Sequence, residues 1–162
     1  MNGQPVSRSQ SKKYLYGIVA GVRGMILTLT CLSRGAFNFS QSIIPLLLAS
    51  TKSTNTTASS PSEIRYPPTL IFTGATASTK ASANFSNFTP GKFALRSLSQ
   101  SIAKEFGPQG IHVGHAIIDG VIDTELTKNW MVGAGPDAKI NPEGVRTYVL
   151  SFIEQEANYK PL

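Results

Sequence analysis

The sequence predicts an α/β fold built on a mainly parallel sheet, and three observations carry the prediction. Two short β-rich runs, Thr69–Thr73 (TLIFT) and Ile111–Ile118 (IHVGHAII), are nearly continuous in apolar character rather than alternating, as strands covered on both faces are. Between them Phe93, Leu95, Leu98, Ile102 and Phe106 recur at helical spacing, which supplies the crossover that a parallel pair of strands requires. After the second run, Asn141, Pro142 and Glu143 read as the cap and first turn of another helix, so strands and helices alternate.

Taken in order, residues 1–33 form a basic and apolar N-terminal segment, and residues 34–162 form the body of the fold. Tyr14–Leu32 is mostly apolar, but Arg23 in its middle would cost about 2.5–3.5 kcal/mol in a bilayer, so the start of a buried strand or helix is expected there rather than a membrane span. Gly35–Ala49 carries Phe37, Phe39, Ile43, Ile44, Leu47 and Leu48 at helical intervals, with Pro45 as its weak point. Residues 50–62 follow, nine of thirteen of them Ser or Thr and none a large apolar residue, a composition that predicts a solvated loop. The strand Thr69–Thr73 is expected to close at Gly74. The helix from about Thr89 to Phe106 opens with Pro90 in its first turn and stops at Gly107 and Pro108. The last helix runs from Pro142 to about Asn158.

Composition excludes several functions. With one Cys in 162 residues, neither a disulfide framework nor a thiolate zinc cluster can form within the chain. The net charge of +6 is an N-terminal property: residues 1–34 hold five basic residues and no acid, while the remainder holds ten basic against nine acidic. A nucleic-acid-binding body, which needs a basic face over the folded domain, is therefore not expected. His112 and His115 are three apart, which on a strand puts them on opposite faces, so no metal site is expected from them. Asp119, Asp123 and Glu125 read as solvated loop acids. Cytoplasmic residence is the default expectation, with the N-terminal segment as a possible targeting or anchoring element.

The strand TLIFTGATAS, the helix FTPGKFALRSLSQSIAKEFGPQGIHV and the loop IIDGVIDTEL occur in that order, and over roughly Arg34 to Leu126 the chain resembles the short-chain dehydrogenase/reductase family. The resemblance implies part of a Rossmann-like, doubly wound parallel sheet without its N-terminal nucleotide-binding strands. It also implies oxidoreductase chemistry, hydride transfer between NAD or NADP and a small alcohol or ketone. In the family a Tyr-x-x-x-Lys pair opens the helix and a Ser lies thirteen residues before the Tyr. The Tyr moves the proton, and the Lys favours the phenolate and binds the nicotinamide ribose. A phenol near pKa 10 needs such a cation to act as a base at neutral pH.

Here Lys92 holds the Lys position, Phe88 the Tyr position and Ala75 the Ser position, with Thr76 the nearest substitute hydroxyl; the family's helix-borne Asn falls at Leu32. Only Lys92 of the usual four is kept, so the resemblance implies weak activity or none. After the sixth strand the family has Pro-Gly, an aliphatic residue and a Thr around the cofactor. Asp119, Gly120, Val121, Ile122 and Thr124 match that loop, with Asp in place of Pro. The alternative implied by the family is a non-catalytic interaction module. Gly35–Ala49 and Thr89–Phe106 correspond to helices that form a dimer interface there, so pairing with itself or with a full-length relative is expected.

Overall fold

The computed structural model describes residues 23–56, 66–83, 85–130, 135 and 137–157. Helix is continuous from residue 23 to Thr56. Residues 23–28 lead into a π-helical turn, Leu29–Arg34, and then into α1, Gly35–Thr56. At the turn the Gly35 amide reaches the carbonyls of Leu32 and Thr30, the second five residues back, so one residue is accommodated without breaking the helix.

One sequence expectation is corrected here, that of a loop from residue 50. The position between residues 33 and 34 lies within this continuous helix, and residues 50–56 of the loop expected over 50–62 are helical. Nothing between Ala49 and Thr56 is a Gly or Pro, so the backbone has no reason to leave the helix. The Thr51 hydroxyl donates to the Leu48 carbonyl at 2.8 Å, and the Thr51 side chain lies against the turn at Gly110. Pro45 is held within α1. Residues 57–62, and residues 14–22 of the N-terminal apolar run, lie outside the described residues.

The strands are β1, Thr69–Ala75, and β2, His112–Ile118, paired parallel with Thr69 opposite His112 and Ala75 opposite Ile118. The crossover is α2, Thr89–Phe106, with Pro90 in its first turn. Its stop differs in detail from expectation. Gly107 is still right-handed, a short 3₁₀ turn covers Gly107–Gln109, and the reversal comes at Gly110, whose φ of 89° suits glycine. A second small parallel pair joins β3, Val121–Ile122, to β4, Lys139–Ile140, before α3, Pro142–Ala157. The Glu143 amide donates to Asn141 Oδ1 at 2.9 Å, the expected cap.

The sheet carries helices on both faces. Leu70, Phe72 and Val113 share one face, where Leu95 and Ile102 of α2 and Ile44 of α1 complete the core with Ile111, which is 2% exposed. On the opposite face Gly114 lies under the Phe152 ring of α3, and His112 stacks on that ring with centroids 4.7 Å apart. This is the doubly wound arrangement expected, in partial form: among the described residues the main sheet has two strands. Also among the described residues, no helix is long and apolar enough to cross a membrane.

β1 continues through Gly74 instead of closing there. Gly74 is buried, and a Cβ at this position would run into the His115 ring, which occupies the neighbouring place on the same face. The glycine is there for cross-strand packing and not for a turn.

Candidate active site at the carboxyl end of the sheet

The crevice beyond the carboxyl ends of the strands is where open α/β sheets bind ligands, and the residues singled out from sequence gather there. Lys92 sits in the first turn of α2. Its Nζ donates to the Thr73 carbonyl at 2.9 Å and lies 5.7 Å above the centre of the Phe88 ring, one helical turn back. Burial lowers the Lys92 pKa below its ordinary value of 10.5, since an ammonium loses hydration there. Phe88 caps the helix and presents a ring with no exchangeable proton.

Ala75 ends β1, and Thr76 follows it directly. Asp119 likewise follows the end of β2, and because Ala75 and Ile118 are paired, the next residues on each strand meet. The Thr76 hydroxyl donates to Asp119 Oδ1. This contact joins residues 43 apart in sequence. The other two acids have partners too: Asp123 receives Lys139 at 2.9 Å, and Glu125 receives Lys128 at 2.6 Å. All three carboxylates remain exposed.

The loop after β2 closes largely on itself. The Thr124 amide donates to Thr127 Oγ1 at 2.9 Å, the two hydroxyls are 3.1 Å apart, and the Thr127 hydroxyl reaches the Ile122 carbonyl at 2.5 Å. The Asp123 amide donates to the Ile140 carbonyl at 2.9 Å, so Val121 and Ile122 are braced by β4. Gly120 has a φ of 158°, and a Cβ there would come within 2.9 Å of the Ile140 side chain. Thus Gly120, Val121, Ile122 and Thr124 form a pre-shaped loop next to Asp119.

Three contributors were missed in the sequence. Ser78 is fully buried, and its Oγ accepts from the Ala75 amide at 3.0 Å, fixing the bend at which β1 gives way to Thr76. His115, between the cations of α2 and the Gly74 backbone, has its pKa lowered by burial, then by Arg96 and by Lys92. Thr28, at the end of the first helical stretch, donates to the Asn87 carbonyl at 2.5 Å, and its atoms lie 3.1 Å from where a Gly91 Cβ would be. The N-terminal helix thereby anchors the residues flanking Phe88. The short Thr76–Ser78 run is a local signal for the Ser78 bend, whereas the other two contributions depend on contacts with distant residues. His112 and His115 do fall on opposite faces, one against Phe152 and the other against Gly74.

The donor chemistry suits the nicotinamide end of a dinucleotide. Lys92 spends one N–H on Thr73 and keeps others for hydroxyl oxygens, and the Thr124 hydroxyl stands beside the braced loop. Thr76 is a weaker match to the missing Ser, because its proton is directed to Asp119 and it offers an incoming oxygen no donor in this rotamer.

The family model described as short chain dehydrogenase matches residues 30–133, more than half of the chain. No curated protein matches. Among solved structures, the crystal structure of a short-chain dehydrogenase from Rhodopseudomonas palustris is 29% identical, with a TM-score of 0.47. That match covers 64% of this chain and 40% of the other, so the chain spans less than half of that relative's length. From the extent of the family match, the chain belongs to the short-chain dehydrogenase family.

Proposed function

We propose that this chain carries the nicotinamide-facing part of an NAD(P)-dependent oxidoreductase acting on a small alcohol or ketone, with low or no turnover of its own. The observation that carries the reading is Lys92, held at the carboxyl end of the sheet by the Thr73 carbonyl with N–H groups to spare. Lys92 would hold the ribose hydroxyls, and Asp119, Gly120, Val121, Ile122 and Thr124 would flank the carboxamide. The cofactor, when bound, supplies hydride acceptance or donation. The chain's own residues orient it and exclude water, Phe88 covering one side of Lys92 with an apolar ring.

Proton handling sets the low rate. Phe88 has no proton to give, Ala75 has no hydroxyl, and the Thr76 hydroxyl is turned to Asp119. Losing a positioned acid or base typically costs about 10²- to 10⁴-fold in rate. Titration of the folded chain with NADH and NADPH, followed by nucleotide fluorescence and thermal shift, tests the binding. Saturable binding that weakens in Lys92→Ala supports the reading; no binding to a folded sample refutes it.

A second reading, self-association or pairing with a longer relative, is favoured by the apolar side chains left exposed on the two family interface helices. Phe37, Phe39 and Leu46 on α1 and Phe93 on α2 are each more than 40% exposed. A monomer by light scattering at all accessible concentrations would rule this out for the chain alone.

A further inference from the structure

A cavity of about 180 Å³ opens beside the carboxyl end of β2 and shares only Asp119 with the nicotinamide reading. Its walls are aliphatic, from Ile117, Ile118, Ile140 and Val145, with the ring of Tyr148 on the α3 side and a single charged residue, Asp119. An aliphatic cavity of about 150 Å³ is large enough to hold benzene, so the space suits one saturated ring with a small substituent.

The charges around it specify the substituent. Lys139, beside Ile140, is paired with Asp123 at 2.9 Å, and Arg146, beside Val145, is paired with Glu143 at 3.0 Å. Both local cations are thus matched by acids, whereas Asp119 has no cationic partner among the described residues. The Thr76 hydroxyl on Oδ1 orients that carboxylate and leaves Oδ2 able to accept. A carboxylate at the mouth of an apolar cavity that also has an aromatic wall is complementary to an ammonium on an apolar body. The ion pair supplies a charge-assisted hydrogen bond, and the Tyr ring favours the cation.

We propose that this cavity binds a small primary amine carried on an apolar ring, its ammonium on Asp119 and its ring between Ile118, Ile140 and Val145. The site shares Asp119 with the proposed cofactor loop but does not depend on Lys92 or on nucleotide binding.

The test is an NMR titration of the full ¹⁵N-labelled chain with cyclohexylamine, in the absence of nucleotide, with cyclohexanol and cyclohexanecarboxylate as comparison ligands. Two variants complete it. Asp119→Asn keeps the shape and removes the charge. Gly144→Leu adds a bulky side chain at a lining position where a Cβ meets nothing within 4 Å. Saturable shifts at Ile118, Asp119, Ile140 and Val145 are expected for the amine. Binding should weaken about tenfold or more for cyclohexanol and for Asp119→Asn, as loss of a charge-assisted bond implies. The carboxylate should not bind, and Gly144→Leu should abolish the amine shifts. Absence of saturable shifts in the folded chain overturns the proposal. So does equal affinity for amine and alcohol, unchanged affinity in Asp119→Asn, or binding that survives Gly144→Leu. Because no nucleotide is present, failure of NADH binding in a separate experiment has no bearing on this result.

Discussion

Replacing Gly74 with Ala probes the cross-strand packing that holds the site together. A methyl at Gly74 would lie 2.8 Å from Cε1 and 2.9 Å from Cδ2 of His115, and nearer still to Nε2. Carbon atoms in contact prefer about 3.5–4.0 Å, so the ring or the strand must move. Overpacking of this kind costs about 1–3 kcal/mol. Against it stands the roughly 0.5–1 kcal/mol by which Ala is favoured over Gly in a strand interior. The backbone at Gly74 is not left-handed, so that gain is available in full. The expected net effect of Gly74→Ala is therefore a loss of about 0–2.5 kcal/mol, centred near 1 kcal/mol.

In a His115→Ala background the obstruction is gone and the sign should reverse, Gly74→Ala then stabilising by about 0.5–1 kcal/mol. Urea unfolding followed by far-UV circular dichroism, on the wild type, both single variants and the double variant, gives the coupling directly. An equal cost for Gly74→Ala in both backgrounds would refute the assignment of Gly74 to His115 packing.

Ile111→Ala, at a position 2% exposed in the core, should cost about 2–5 kcal/mol, whereas Ile26→Ala, at 56% exposed, should stay within about 0.5 kcal/mol; similar urea midpoints for the two would contradict the core placement. His115 binds its proton less readily when folded than its ordinary value of 6.5 implies, so the unfolded chain takes up more protons and stability should fall as the pH drops below about 6.5. His115→Phe, which keeps a ring but cannot protonate, should lose less stability over that interval, and an unchanged pH slope would show that His115 is not responsible. Phe88→Tyr should place a phenol on the residue whose ring Lys92 overlies, and NADPH-dependent ketone reduction should rise by about 10²- to 10⁴-fold; no rise in a variant that still binds NADPH would remove Phe88 as the cause of low activity.

Local pattern was sufficient for most of the elements. Pro90 in a first turn, the Asn141 cap and the apolar runs of β1 and β2 each depend on neighbours in the chain, and each element lies close to where its residues predicted it. The same holds for the match of Lys92 and the Gly120–Thr124 loop to a family pattern, which is a matter of order and spacing. The candidate site was legible only as a set of names. Its geometry depends on the Lys92 bond to Thr73, the Ser78 bend and the bracing of Ile122 by β4, none of which leaves a periodic trace.

By itself the sequence determined an alternating α/β order and a parallel pair of strands, because periodicity and chain punctuation are local properties. Only the tertiary structure decided that the helix continues to Thr56, that Gly74 belongs inside a strand, and that Thr76 meets Asp119 across strand ends 43 residues apart. The last two outcomes rest on the parallel register, which brings distant residues side by side and lets packing outweigh the local tendency of Gly to form a turn.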